Sequence, residues 1–151
     1  MLPKYHIVIG GITSLLLYYS FSLTIFQTLI IFFASFIIDV DHYFLYVLRQ
    51  KDFSLNNARS YFKKKRDERI KMPVVQRRKH KRFLYIFHGI EFWILIFALT
   101  YLSTIFWFIL IGFAVHMVLD WLDFLILGDP LIEKFSQSAT YLRNRGKKEF
   151  I

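Results

Sequence analysis

The feature that most constrains this chain is a stretch of 32 residues, Ile7 to Ile38, that contains no Asp, Glu, Lys or Arg. A single helix of that length would be about 48 Å long, whereas the hydrocarbon core of a membrane is about 30 Å thick. The tract therefore predicts two short membrane helices that turn at the polar step Tyr19 to Ser22, with one long tilted helix as the alternative. A signal peptide fits poorly, because no small-residue cleavage site follows a short apolar region.

A second uncharged tract, Phe92 to Leu119, repeats the pattern, and its polar step Thr100 to Thr104 predicts a second hairpin. We therefore expect an all-α, polytopic membrane protein that forms a single membrane domain over residues 1–151. Its four short transmembrane helices would cover about residues 5–19, 23–42, 83–100 and 104–127, with a C-terminal surface helix over about 130–145. Asp129 is predicted to be the N-cap residue of that last helix.

The segment between the tracts, residues 49–82, is strongly basic, with 14 Lys and Arg against three acidic residues. By the positive-inside rule this loop is cytoplasmic, and an even number of spans places both termini on the same side of the inner (cytoplasmic) membrane. The part from Arg59 to Lys71 is predicted to be helical. Attraction to anionic membrane lipids explains the basic charge of this segment with fewer assumptions than nucleic-acid binding does. We therefore expect no nucleic-acid partner.

Histidines and acids gather where the predicted helices begin and end. Because each hairpin returns the chain to its starting side, these side chains would meet near the cytoplasmic interface: His6, Asp39, Asp41, His42, His88, Glu91, His116 and Asp120. A carboxylate in hydrocarbon needs a partner, since burial of its charge costs roughly 2.5 to 3.5 kcal/mol at full depth. Neither tract contains Lys or Arg, which leaves the basic loop or a bound cation as the counter-charge, and we favour the cation.

The chain has no Cys, so any metal would be held by His and carboxylates. Such a set suits Zn²⁺ first, and Mn²⁺ or Fe²⁺ next. One zinc takes three or four protein ligands, so eight candidates allow more than one ion and leave a carboxylate as a general base. Clustered metals activate water for attack on a phosphoryl or acyl group, which makes hydrolysis the expected chemistry. His80 is assigned to a solvated basic run, and the membership of Asp123 stays open.

Four sequence elements carry a resemblance to a known family: the early His6, the run Asp39-Val40-Asp41-His42, the segment Phe87 to Glu91, and the run Gly112 to Asp120 with its H-x3-D spacing. Together they resemble the predicted membrane-bound, metal-dependent hydrolases of prokaryotes, the YdjM-like family related to zinc-dependent phospholipase C. The resemblance covers most of the chain, although many members have Pro where this chain has Ile38. It implies that six residues bind one to three divalent ions, with Asp41 and Glu91 as ligands or proton carriers: His6, Asp39, His42, His88, His116 and Asp120.

We therefore expect a hydrolase that cleaves a phosphoester or ester of a lipid or lipid-linked substrate through a metal-activated water, with Glu91 or Asp41 carrying the proton. A site at the headgroup level beside a basic loop could reach such a substrate within the bilayer. A metal-ion or proton transporter is the first alternative, disfavoured because the middles of both tracts carry few polar residues. The second is a non-catalytic, metal-stabilised membrane subunit whose basic loop docks a partner.

Overall fold

The computed structural model describes residues 3–147, and no strand occurs among them. The all-α prediction is therefore confirmed. The helices are α1 (Pro3–Phe21), α2 (Ile25–Ile37), α3 (Val40–Gln50), α4 (Leu55–Lys71), α5 (Val74–Arg77), α6 (Ile90–Leu99), α7 (Ile105–Leu127), α8 (Ile132–Phe135) and α9 (Gln137–Asn144), with a 3₁₀ turn at Ile86–His88.

Both apolar tracts double back at their polar steps. Helix α1 ends at Phe21 and α2 begins at Ile25, which excludes one long tilted helix for the first tract. A capping box starts α2: the hydroxyl of Thr24 accepts from the backbone N–H of Gln27, and the side chain of Gln27 accepts from the N–H of Thr24. In the second tract α6 and α7 pack against each other, joined by residues 100–104.

Two segments, rather than the predicted four, are long and apolar enough to cross a membrane within the described residues. They are Ile25–Gln50, which joins α2 to α3, and Ile105–Leu127, which is α7. Helix α1 has the length but not the hydropathy. Helix α6 has 10 residues and extends about 15 Å, half the thickness of the hydrocarbon core. Length and composition thus support membrane association through two helices.

The helix predicted over residues 83–100 begins only at Ile90, because backbone N–H groups before it bond to side chains instead of to the carbonyls of a preceding turn. The N–H of Arg82 donates to the side chain of Asn144, and that of Tyr85 donates to the side chain of Gln137. The N–H of Phe87 donates to Asp41. Residues 81–85 therefore form no helix, and the segment from Arg82 to Phe87 lies against α9 and α3.

Helices α1, α2 and α7 pack against one another, and a glycine permits α7 to approach α2 closely. A Cβ at Gly112 in α7 would lie 2.5 Å from the carbonyl oxygen of Ile31 and 2.6 Å from the Cβ of Ala34, both in α2. Small residues at such contacts let helix backbones come together. The contact brings α7 close to the C-terminal end of α2, where the predicted metal ligands begin.

Part of the basic loop folds inward and forms ion pairs with the C-terminal half of the chain. Arg66 in α4 makes two bonds of 2.7 Å to Asp123. The buried carboxylate of Asp129 is in contact with three guanidinium groups, those of Arg69, Arg77 and Arg82. The N-cap prediction for Asp129 is therefore wrong: the carboxylate is occupied by arginines, and α8 begins at Ile132 without a side-chain cap.

The C-terminal surface helix predicted over about 130–145 is divided in two. Gly128, with φ of 69°, ends α7 in the left-handed conformation that favours glycine. Helix α8 follows, and its Glu133 and Lys134 are buried rather than on the surface. Ser136 then caps α9 through a bond from the N–H of Ala139. This division places α8 against the end of α7.

Candidate metal centre

The structure brings together all six residues predicted as metal ligands. Helix α1 contributes His6, and the start of α3 contributes Asp39 and His42. The 3₁₀ turn contributes His88, and α7 contributes His116 and Asp120. The imidazoles of α1, the 3₁₀ turn and α7 have no exposed surface, and the carboxylate from α7 is 1% exposed. The hairpins thus do what the sequence pattern predicts, returning distant parts of the chain to one end of the helix bundle.

His116 lies at the centre of the cluster. Its Nε2 lies 3.2 Å from Nε2 of His88, 3.5 Å from Oδ2 of Asp120 and 3.6 Å from Oδ1 of Asp39. The ring of His6 stacks on it with centroids 3.9 Å apart, and Nε2 of His6 lies 3.5 Å from Oδ1 of Asp120. His42 completes the set, 3.3 Å from Asp39.

Three overlapping groups of donor atoms are compact enough to hold a metal ion, since the atoms in each lie within 4.8 Å of one another. The groups are His6, Asp39 and His116; Asp39, His42 and His88; and His88, His116 and Asp120. Each contains at least one imidazole and one carboxylate, the ligand types that suit borderline divalent cations. Only the carboxylate of Asp39 could serve two neighbouring ions, because a histidine nitrogen binds one ion at a time.

Unsatisfied polar atoms in the cluster fit a cation. Both ring nitrogens of His6 are buried without a hydrogen-bond partner, and so is Oδ2 of Asp39. A buried polar atom without a partner costs about 1–3 kcal/mol, so such atoms are uncommon in folded proteins. Coordination of a divalent ion would give one ring nitrogen of His6 a partner that the rest of the cluster does not supply.

Acceptors behind the imidazoles fix the direction of two ligand nitrogens. Nδ1 of His116 donates to the carbonyl oxygen of Ser35 at 2.9 Å, and Nδ1 of His88 donates to Oδ2 of Asp41 at 2.9 Å. With Nδ1 protonated, the lone pair of Nε2 in each ring is directed at the cluster. Asp41 is thus positioned behind the cluster, where it orients His88 and also lies 3.0 Å from Nδ1 of His42.

The pKa of His88 reflects the balance of charge at the site. Burial and the nearby Lys134 ammonium lower it, but the carboxylates of Asp39 and Asp41 outweigh both and raise it above its usual value. The surroundings of His88 therefore favour positive charge. A metal cation would be attracted by the same carboxylates and would compete with the proton.

Glu91, predicted to be a proton carrier, lies elsewhere. Its carboxylate accepts from the hydroxyl of Ser136 at 2.7 Å and from the backbone N–H groups of Gln137 and Ser138. It therefore binds the first turn of α9, as anions at helix N-termini do. Glu91 attaches α6 to α9 and is not a member of any of the three donor groups.

Two further residues contact the cluster and carried no signal in the sequence. Nζ of Lys134 in α8 lies 2.6 Å from Oδ2 of Asp120, so the C-terminal segment supplies a counter-charge that neither apolar tract contains. The ring of Tyr85 stacks on His42 with centroids 4.0 Å apart, and burial raises the pKa of Tyr85 well above its usual value. No periodicity or spacing could have connected either residue with the site.

His80 and Asp123 both lie outside the three donor groups. Nδ1 of His80 lies 3.0 Å from the carbonyl oxygen of Gln76, at the end of α5. Asp123 follows Asp120 by one helical turn, but its carboxylate is paired with Arg66. The donor groups include neither residue.

The candidate ligands are four imidazoles and two carboxylates, without sulfur. Buried acceptors orient two of the imidazoles. Comparison with protein-family models, with characterised proteins and with solved structures finds no match.

Proposed function

We propose that this chain is a membrane-embedded hydrolase that cleaves a phosphoester or ester of a lipid or lipid-linked substrate. It would use a divalent metal ion, with zinc as the first candidate. The observation that carries the proposal is the convergence of six imidazole and carboxylate side chains in one largely buried cluster that leaves His6 and Asp39 with unpartnered atoms. The resemblance noted in the sequence leads to the same class of enzyme.

The two donor groups that share only Asp39 would hold one ion each, whereas the third group needs Nε2 of both His88 and His116 and would hold an ion only in their place. The site would thus hold one or two ions. A divalent cation held there supplies Lewis-acid chemistry, lowering the pKa of water and neutralising charge on a phosphoryl or acyl oxygen. Oδ2 of Asp39 accepts no hydrogen bond from the described residues, so we assign it to take the proton from the attacking water. Asp41, which the sequence suggested for that role, instead orients His88 and His42.

Lys134 extends the positive charge of the site beyond the metal ligands. Its ammonium is in contact with Asp120 and is 7% exposed, at the edge of the cluster where α8 meets α7. An anionic oxygen of the substrate that approaches Asp120 would meet this ammonium. We assign Lys134 to orient that oxygen and to offset its charge.

The location of the basic residues supports a cytoplasmic position for the site. Arg66 of helix α4 forms an ion pair with Asp123 of α7. Asp123 lies three residues beyond Asp120, so α4 contacts the end of α7 that bears the cluster. The two interhelical turns, residues 22–24 and 100–104, carry no charge. By the positive-inside rule we therefore propose that the cluster end of the bundle lies at the cytoplasmic headgroups, beside lipid esters.

Metal removal tests the proposal directly. Dialysis of detergent-purified protein against a chelator should abolish hydrolysis of bis(p-nitrophenyl) phosphate and of short-chain phospholipids, and zinc should restore it. Elemental analysis before and after each step gives the metal content that accompanies activity. Full activity of metal-free protein would contradict the proposal, whereas metal binding without turnover of any ester would leave the non-catalytic subunit.

Asp41→Asn should weaken zinc binding by about 10- to 100-fold, the usual effect of removing the acceptor behind a ligand histidine. The amide keeps the size of the side chain but is a weaker acceptor for Nδ1 of His88. Competition with a chromophoric chelator measures the affinity. Glu91→Gln is the matched control: it makes the same chemical change at the α9 contact and should leave zinc affinity unaltered. Equal affinities for wild type and Asp41→Asn would refute the orienting role.

A further inference from the structure

Two surface cavities adjoin beside α9, and they differ in chemical character. The first, about 410 Å³, lies between α3, residues 81–84 and α9, and its only charged lining residues are basic: Arg49, Lys81, Arg82 and Arg145. The second, about 460 Å³, is lined mainly by apolar and aromatic side chains, among them Ile86 and Leu142. Leu84 and Tyr141 line both cavities, so the two have a wall in common.

Two arginines of the basic cavity lie over aromatic rings and can donate hydrogen bonds to an anion. The guanidinium of Arg49 lies 4.6 Å from the ring centre of Phe83, and that of Arg145 lies 5.6 Å from the ring centre of Tyr141. Within residues 3–147 neither forms an ion pair, whereas Arg82 is paired with Asp129 and Glu133. A guanidinium on an aromatic face keeps its N–H donors available, and their planar arrangement matches the oxygens of a phosphate.

The apolar cavity exposes side chains that water solvates poorly. Ile86 is 75% exposed and Leu142 is 58% exposed, and both face the cavity that continues from the basic one. Tyr85 also lines this cavity, and its ring stacks on His42 of the metal cluster. A ligand in the apolar cavity would therefore lie against the same aromatic ring that contacts the cluster.

We propose that the two cavities together bind one anionic membrane phospholipid. The phosphate of its head would lie between Arg49 and Arg145, and the first part of an acyl chain would cover Leu84, Ile86 and Leu142. Charge complementarity selects an anionic head, and the wall shared at Leu84 and Tyr141 lets one molecule place its head in the first cavity and its chain in the second. This inference goes beyond the proposed hydrolysis, because a lipid bound here need not be cleaved.

Titration of full-length protein in maltoside micelles with dihexanoyl phosphatidylglycerol tests the proposal. Arg49→Gln/Arg145→Gln should weaken binding by about 25-fold, roughly fivefold for each exposed arginine. Lys63→Gln/Lys64→Gln on the exposed face of α4 removes the same charge and should change affinity by less than about twofold. Leu142→Asn should weaken binding of the lipid by about three- to tenfold and leave the affinity for inorganic phosphate unchanged.

Isothermal titration gives the affinities, and mass spectrometry of the recovered lipid shows whether it has been cleaved. Intact lipid bound with the predicted variant pattern supports this proposal even if hydrolysis fails. Equal affinity for dihexanoyl phosphatidylcholine, or an equal loss in the Lys63→Gln/Lys64→Gln control, would show that no specific head site exists. Inorganic phosphate that binds as tightly as the lipid would reduce the site to a simple anion pocket and overturn the claim of a lipid.

Discussion

His116→Ala should empty the metal centre and reduce hydrolysis by about a thousandfold or more. His116 belongs to two of the three donor groups and is in contact with His88, Asp39 and Asp120. Loss of a residue behind a ligand costs about 10- to 100-fold in metal affinity or activity, and loss of a central ligand shared between two groups must cost more. The expected effect is therefore larger than that of Asp41→Asn.

Elemental analysis and ester hydrolysis of the same detergent-purified preparation measure both consequences. His80→Ala is the matched control, because it removes an imidazole that belongs to none of the three donor groups. Thermal unfolding of each variant verifies that the bundle forms, and Asp39→Ala provides a second, less buried ligand position. Full metal content and full activity in both His116→Ala and Asp39→Ala would disprove the assignment of the cluster.

Much of the cluster could be predicted because its placement follows from chain reversal. A tract of 32 uncharged residues is too long for one span, and the polar steps near Ser22 and Thr100 are where a chain can leave the helix. Once both tracts turn, residues at their outer ends must lie at one end of the bundle. That argument places His6 beside Asp39, and His88 beside Asp120, without knowledge of any packing detail.

The number of spans was not predictable in the same way, because hydropathy alone does not show which backbone N–H groups find other partners. Residues 83–89 are apolar enough to continue a helix, yet Arg82, Tyr85 and Phe87 donate their N–H groups to side chains from distant segments. Those acceptors lie 46 to 62 positions away in the chain. Such contacts leave no periodic trace, and the shortened α6 follows from them.

The charge count of a segment likewise does not show which of its cations form ion pairs with distant parts of the chain. A count of residues 49–82 predicts a uniformly basic surface, but Arg66, Arg69, Arg77 and Arg82 face carboxylates of the C-terminal half. Those carboxylates lie near the end of α7 and beyond Gly128, in a segment that sequence reasoning assigned to a surface helix. The basic segment is therefore partly a packing element, and at least these four arginines are not available for lipid heads.

Asp129→Asn should destabilise the protein by about 3–5 kcal/mol, the usual cost of removing one partner from a buried ion pair. The carboxylate has no exposed surface and is in contact with Arg69, Arg77 and Arg82. Its neutralisation leaves Arg69 and Arg77 without this counter-ion and leaves Arg82 with Glu133 alone. Arg77 also donates to the carbonyl oxygen of Leu127 at the end of α7, so the loss extends to the contact between α5 and α7.

Thermal unfolding in one detergent, followed by circular dichroism, measures the effect, which for a chain of this size corresponds to a fall in Tm of roughly 6–20 °C. Asp67→Asn is the matched control, because it removes the same charge from the exposed face of α4 and should cost less than about 0.5 kcal/mol. A Tm for Asp129→Asn equal to that of the control would show that the three arginines do not depend on this carboxylate. Because the Asp129 contacts hold the chain between α7 and α8, we also expect the variant to lose the ion pair of Lys134 with Asp120 at a lower temperature than the wild type.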